Sequence, residues 1–183
     1  MADVVVVGST TAERSGLVPL VVVAGCPALV EEPLGVSTAQ TVELASLIDD
    51  AVAPVSTAMF LRCAPALLRV RSLLAGGALG ELAAAYAEFG HHGLLDGVSE
   101  DSEAWMLDPD HGGTGAFAHL GIHVLDSLQW LRPGARLTVR SARLRYRPGR
   151  PLTSAVRLSW AGATWPPAFM RDGPRARRRP PAH

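Results

Sequence analysis

The chain has 183 residues; its 17 basic side chains are all arginine and are balanced by 17 aspartates and glutamates, giving a formal net charge of zero. With 48% hydrophobic residues it can bury a core as one domain or two small ones, which excludes a mainly disordered chain. No apolar run reaches the roughly 18 to 20 residues that span a bilayer, and the Met1-Ala2-Asp3 start is not the basic segment of a signal peptide. A soluble, cytoplasmic protein with no membrane contact is expected.

Lysine and asparagine, both encoded by A-rich codons, are absent, while Ala, Leu, Arg, Gly and Pro abound, the pattern of a GC-rich gene. The missing lysine excludes a Schiff base, a phosphate-loop lysine and a lysine general acid. Cys26 and Cys63 have neither metal nor redox spacing and imply no disulfide framework. Charge is unevenly placed: residues 1–130 hold 16 acids against 4 arginines, net −12, and residues 131–183 hold 13 arginines against Asp172, net +12. An electrostatic contact between the halves, an anion-binding sheet face and a change of reading frame each account for that break. The run from Arg171 to His183 reads as a solvated, disordered tail, and without interleaved aromatics it does not mark a nucleic-acid partner.

In chain order, Asp3 to Gly8 reads as a buried strand entering the polar loop Ser9-Thr10-Thr11. A helix follows from Ala12 to Ala24, its stripe Leu17, Leu20, Val21 and Ala24, shortened or kinked by Pro19 and stopped by Gly25. Ala28 to Val30 is a second strand, which completes a βαβ unit with a parallel pair. Ser37 to Gln40 match a capping box, and Ala39, Val42, Ala45, Ile48 and Val52 trace one helical face. A third strand is predicted from Val55 to Leu61, then a helix opened by Pro65, with Leu67, Leu68, Leu73 and Leu74 as its stripe, ended by Gly76-Gly77.

Glu81 to Phe89 reads as a strand, and His91 to Asp110 as an acidic loop anchored by Trp105. Gly112 to Gly115 open a helix to about Leu131; Phe117, Leu120, Val124, Leu128 and Leu131 form its core stripe, with His119, His123 and Asp126 on another face. The three glycines Gly112, Gly113 and Gly115 read as points of close backbone approach. Leu137 to Tyr146 and Ala155 to Trp160 alternate as antiparallel strands do, with Arg143, Arg145 and Arg147 on one side.

Four segments in this order resemble the landmarks of the Gfo/Idh/MocA oxidoreductases. They are Val30-Glu31-Glu32-Pro33-Leu34, Arg62 to Pro65, Gly76-Gly77-Ala78-Leu79-Gly80-Glu81, and Gly112-Gly113 through Gly121-Ile122-His123-Val124-Leu125-Asp126. The ordered match covers roughly residues 3 to 160. The resemblance implies an α/β chain: a partial Rossmann-like parallel βαβ portion (residues 1–60), an α+β domain with an open, mainly antiparallel sheet (61–170) and a basic tail (171–183). It further implies NAD or NADP as cofactor, a sugar- or cyclitol-type alcohol or ketone as substrate, and a homo-oligomer formed through the C-terminal sheet.

By the same resemblance His123 falls at the position of the family's catalytic histidine and His119 at that of its aspartate, so both are the expected catalytic residues. Ser9, Thr10, Glu31, Glu32 and Pro33 are the expected cofactor-binding residues. Glu32 stands where the family has the lysine of its Glu-Lys-Pro turn, Ser9-Thr10 and Arg14 where a Thr-Pro pair and a histidine are common, and Phe60 where an asparagine is frequent. Hydride transfer from an alcohol needs a base for the hydroxyl proton, and a carboxylate in place of an ammonium changes the charge beside it. Asp126 reads as a structural hydrogen-bond acceptor.

No G-x-G-x-x-G occurs in the chain, and the family's first βαβ units have no counterpart before Asp3, so a truncated family protein with impaired activity is expected. The alternative is a non-catalytic remnant that serves as an oligomerisation or partner-binding module. His119, His123 and Asp126 with His91 or His111 have spacing that suits zinc, but descent within the family explains the same spacing and no metal site is assigned.

Overall fold

The computed structural model describes residues 2–87, 89–90, 104–112, 117–134, 137–147 and 150–160; of residues 104, 107, 109, 140–147 and 150–160 it describes the backbone only. Three short strands, β1 (Val5–Val7), β2 (Ala28–Val30) and β3 (Val55–Thr57), form a parallel sheet in the order β1-β2-β3, with Val5 beside Ala28 and Ala28 beside Val55. Helix α1 (Arg14–Val23) connects β1 to β2 and α2 (Thr38–Asp49) connects β2 to β3. This is the predicted βαβ arrangement, because a parallel neighbour needs a crossover long enough for a helix.

Local signals set the element ends. Ser37 Oγ accepts a hydrogen bond from Gln40 N at 3.2 Å, the capping bond expected, while Gln40 Oε1 reaches back one residue past the cap and accepts from Val36 N at 2.7 Å. α1 runs through Pro19 and ends at Gly25, whose φ of +62° only glycine adopts without strain. Pro65 begins α3 (Pro65–Ala75), where its missing N–H is no loss.

The core holds Val7, Val18, Val30, Leu34 and Leu44, with Val5, Val21, Val22, Ala45, Leu47, Ile48 and Val55 packed around it. Helix phase differs from the predicted stripes. In α1 the buried residues are Arg14 and Val18, with the predicted Val21 packed beside them while Leu17 and Leu20 face outward; in α2 it is Leu44, with the predicted Ala45 and Ile48 packed beside it, while Val42 is exposed and Val52 lies beyond the helix end. Both helices carry apolar residues around much of their circumference, so periodicity leaves the phase open and the sheet decides it.

The third strand is shorter than predicted, because the chain turns at Phe60–Cys63 into a 3-10 turn before α3. Residues 82–87 lie outside any strand, against the strand predicted from Glu81 to Phe89; its centre, Ala83 to Ala85, has low strand propensity. Ala104–Leu107 form a 3-10 turn and Pro109–Gly112 a single helical turn, α4, where the sequence predicts the end of a loop; of the helix predicted after it, the described part is a π turn (Phe117–Gly121) and α5 (Ile122–Leu131). Gly112 does meet a close backbone, since a Cβ there would lie 2.5 Å from Met106 Cα; Gly113 and Gly115 lie outside the described residues.

β4 (Leu137–Arg147) and β5 (Arg150–Trp160) pair antiparallel from Leu137 beside Trp160 to Arg147 beside Arg150. The side chains of Arg143, Arg145 and Arg147, and the whole of the basic run from Arg171, lie outside what is described, as do His91 and most of the predicted acidic loop. Contacts of α5 with α3 and with the Phe60–Cys63 turn join the two parts of the chain. Arg71 stacks on the Trp130 ring at 4.2 Å, and Arg62 binds Asp126 through both carboxylate oxygens, Nε to Oδ2 at 2.8 Å and Nη2 to Oδ1.

Candidate active site

In an open parallel sheet, ligands bind beyond the carboxyl ends of the strands. That end carries Ser9, Thr10 and Thr11 after β1, Glu31, Glu32 and Pro33 after β2, and Phe60 after β3. The topology thus gathers all five residues expected to bind a cofactor at one sheet edge. Thr10 is held by Glu13, whose Oε2 accepts from the Thr10 amide at 3.2 Å and from its hydroxyl at 3.0 Å. The Ser9 hydroxyl donates to the Thr10 carbonyl at 3.2 Å. The Glu32–Pro33 peptide is cis.

Arg14 opens α1 with only 2% of its surface exposed. Its guanidinium donates to the Ser9 carbonyl at 2.8 Å and to the Pro33 carbonyl, so one side chain ties the loop after β1 to the turn after β2. Burial lowers its pKa, and the nearby charges of Glu32 and Glu31 oppose that shift. Arg14 entered the sequence reading only as a departure from a family histidine; its function as a tie depends on carbonyls 5 and 19 residues away.

Glu32 turns inward, its side chain 12% exposed, and its Oε1 lies 3.1 Å from His123 Nε2. Desolvation, aided by the Glu31 charge and opposed by Arg14, raises the Glu32 carboxyl to about 7. His123 is the buried residue of α5, at 4% exposure, and burial lowers its pKa against the pull of Asp126 and Glu31. Phe60 and Phe89 pack edge-on against its ring, centroids at 4.6 and 5.8 Å. His123 Nδ1, Glu32 Oε2, Arg14 Nε and the Thr11 hydroxyl are buried with no hydrogen-bond partner among the described residues.

His119 goes elsewhere. Its Nε2 bonds the Gly112 carbonyl at 2.9 Å, and its ring meets Trp105 edge-on at 5.8 Å. Burial lowers its pKa, with the Gly112 carbonyl opposing and the Arg14 and His123 charges lowering it further. The π turn ending at Gly121 shifts the helical phase between the two histidines. Asp126 serves as the acceptor for Arg62. No set of three or more His, Cys, Asp or Glu among the described residues is placed to hold a metal ion. His111 instead pairs with Asp108 at 2.8 Å. No helix among the described residues is long and apolar enough to cross a membrane.

The raised pKa of Glu32 makes stability pH-dependent. Folded Glu32 titrates near 7 rather than near its ordinary 4.5, so the native state holds an extra proton between those values. That contribution is full below about 4.5 and is lost as pH rises through about 7. His119 and His123, lowered from 6.5, act oppositely and favour folding as pH climbs toward that value. Urea unfolding of wild type and Glu32→Gln should therefore show the wild type losing stability relative to the variant between about pH 4.5 and about pH 7. Parallel pH curves would refute a buried, proton-holding Glu32.

A parallel sheet with polar loops at its carboxyl edge, closed by a histidine-bearing helix, is the architecture of Rossmann-type oxidoreductases. The sequence profile of the GFO/IDH/MocA C-terminal domain matches residues 67–163, and the chain belongs to the Gfo/Idh/MocA family. It is 37% identical over 90 residues to trans-1,2-dihydrobenzene-1,2-diol dehydrogenase of Oryctolagus cuniculus, covering 49% of this chain and 27% of that protein. Among solved structures it resembles an inositol dehydrogenase homolog complexed with NAD+ from Azotobacter vinelandii, at TM-score 0.78 and 19% identity over 88% of this chain and 43% of that one. The WlbA dehydrogenase from Bordetella pertussis, in complex with NADH and UDP-GlcNAcA, matches at TM-score 0.66 and 19% identity, over 88% of this chain and 46% of that one. The chain thus spans about a quarter of the rabbit enzyme and under half of each of these solved chains.

Proposed function

We propose that this chain is an NAD(P)-linked oxidoreductase of the CH–OH group of a sugar- or cyclitol-like alcohol, with Glu32 and His123 as its proton-handling pair. The observation that carries this reading is the 3.1 Å contact from Glu32 Oε1 to His123 Nε2, with His123 Nδ1 buried and unpartnered. A bound nicotinamide would supply the hydride acceptor. The unpaired buried polar atoms of Thr11, Arg14 and Glu32 suit the hydroxyl and amide groups of a nicotinamide riboside, which leaves His123 Nδ1 for the substrate. Ser9, Thr10, Glu31, Glu32 and Pro33 would hold that end.

When Glu32 is ionised it accepts the Nε2 proton of His123, which leaves Nδ1 as the free base. Nδ1 takes the hydroxyl proton and Nε2 passes its own to Glu32 Oε1, so the pair goes from one proton to two, a neutral imidazole and a neutral carboxyl, where the family uses an ammonium. A carboxyl near 7 is matched to that exchange. Arg14 steadies the turn that carries Glu32, and His119 fixes the segment ending at Gly112 beside it. Titration of the chain with NADH and with NADPH, followed by quenching of tryptophan fluorescence, tests the reading. Saturable binding of either supports it, and no binding at millimolar concentration overturns it.

The uncovered sheet face favours a second reading. Val4, Val6 and Leu29 are 58%, 66% and 41% exposed, whereas parallel sheets are ordinarily covered on both sides. A module that docks a partner, or pairs with its own copy through the β4–β5 sheet, would use such surfaces. A concentration-independent monomer mass in sedimentation would remove the self-association form of this reading.

A further inference from the structure

Three side chains at helical spacing on α5, those of His123, Asp126 and Trp130, are each held from outside the helix. Phe60 packs edge-on against the His123 ring, and Arg62 of the same 3-10 turn grips Asp126, Nε to Oδ2 at 2.8 Å and Nη2 to Oδ1. Arg71 of α3 stacks on Trp130. The chain before α5 does little to fix it, since the π turn Phe117–Gly121 interrupts the regular ladder immediately ahead of His123. Of the three holds, the Arg62 fork is the one that sets an angle, because a planar guanidinium bonded at two points to a carboxylate has one orientation. The Asp126 side chain is 11% exposed although Arg62 keeps 47% of its own surface in water, so the pair is better shielded than an ordinary surface bridge.

We propose that Arg62 is a positioning residue, whose fork on Asp126 fixes the rotation of α5 so that His123 Nε2 stands at Glu32 Oε1. This deepens the oxidoreductase reading and rests on it for the use made of His123. A helical side chain ends roughly 6 Å from the helix axis, so a rotation of about 20° carries it about 2 Å. That is enough to break the 3.1 Å contact with Glu32 and to slide the imidazole off Phe60. A misplacement of about 1 Å already costs on the order of 100-fold in rate. The charges around the ring give the position a second signature. Glu32 and Glu31 face His123 from the turn after β2, Asp126 from its own helix and His119 from the π turn, with Arg14 near Glu32 and His119 and Arg62 balancing Asp126. Burial dominates them and lowers the imidazole from 6.5, so a His123 released from its place titrates closer to that value.

Proton NMR of the full chain, without dinucleotide, follows the imidazole ring protons across pH, with the His123 signals identified by their loss in His123→Gln. In the wild type these protons carry the ring-current displacement of Phe60 and Phe89 and titrate below 6.5. In Arg62→Gln the displacement should collapse and the midpoint should rise toward 6.5. Arg62→Lys keeps the charge without the fork and should show the same changes to a smaller extent. Far-UV circular dichroism establishes that each variant is folded, and Arg62→Lys carries the test if Arg62→Gln does not fold. A substitution that only lowers stability leaves the His123 signals of the folded state where they were, so unmoved signals overturn the proposal. Arg62→Lys matching the wild type beside a changed Arg62→Gln also overturns it, because charge alone would then be at work. His123 released as expected in a chain that binds neither NADH nor NADPH would sink the oxidoreductase reading and leave the positioning role standing. Dinucleotide binding with His123 unmoved would do the reverse.

Discussion

His123→Ala is expected to slow NAD(P)-linked oxidation of a cyclic alcohol by roughly 10²- to 10⁴-fold, the range of a positioned general base. Nδ1 has no described hydrogen-bond partner, so the substitution removes the base without orphaning a hydrogen bond on that side. Glu32→Gln separates the two groups. Glutamine can still accept from Nε2 and hold the imidazole in place, but it cannot take the proton onward. The rate should fall less than in His123→Ala, and the limb of the pH–rate profile near 7 should disappear. The measurement is kcat/KM across pH for wild type and both variants. A Glu32→Gln profile identical to wild type would remove Glu32 from the chemistry and leave His123 acting alone.

The second large effect belongs to the core. Leu44 is 2% exposed and packs in the cluster with Val7, Val18, Val30 and Leu34. Leu44→Ala removes buried methyl groups where α2 meets the sheet, and about 2 to 5 kcal/mol of stability should go with them. At an ordinary urea slope the unfolding midpoint drops by on the order of 1 to 2 M. A loss below about 1 kcal/mol would mean that the helix closes over the gap, and the packing of α2 against the sheet would need to be reconsidered.

Features that act over a few residues were legible in the chain. The Ser37–Gln40 cap, Pro65 at the start of α3 and glycine at the end of α1 depend on neighbours close in sequence, and each appears where expected; the valine run gives β1 in its place, but Val4 and Val6 are exposed where a buried strand was expected. Helix phase was not legible. Val42 and Leu44 are equally apolar, and the sheet beneath α2 decides that Leu44 is buried. Nor was the fate of Glu32: adjacent carboxylates in a turn ordinarily point to water, and its burial beside His123 depends on a helix some 90 residues later.

The family landmarks did place Glu32 and His123 among the residues to watch. Spacing on an ideal helix put His119 and His123 side by side, and the π turn before α5 sends their side chains to different partners, Gly112 and Glu32. Phe89 gave no signal as a partner of His123, because the sequence reads it as the end of a strand that the structure does not form.

Arg14 and Val18 lie one helical turn apart on the buried side of α1, the first tying two loops of the crevice and the second in the middle of the apolar cluster. Stability and site geometry therefore share a lever arm. A substitution that rotates or slides α1 to relieve packing at Val18 displaces the guanidinium, and with it the turn that aims Glu32. Selection for a tighter core along this helix consequently works within the tolerance of a hydrogen bond, and variants of α1 should trade thermal resistance against proton transfer more steeply than variants of α2.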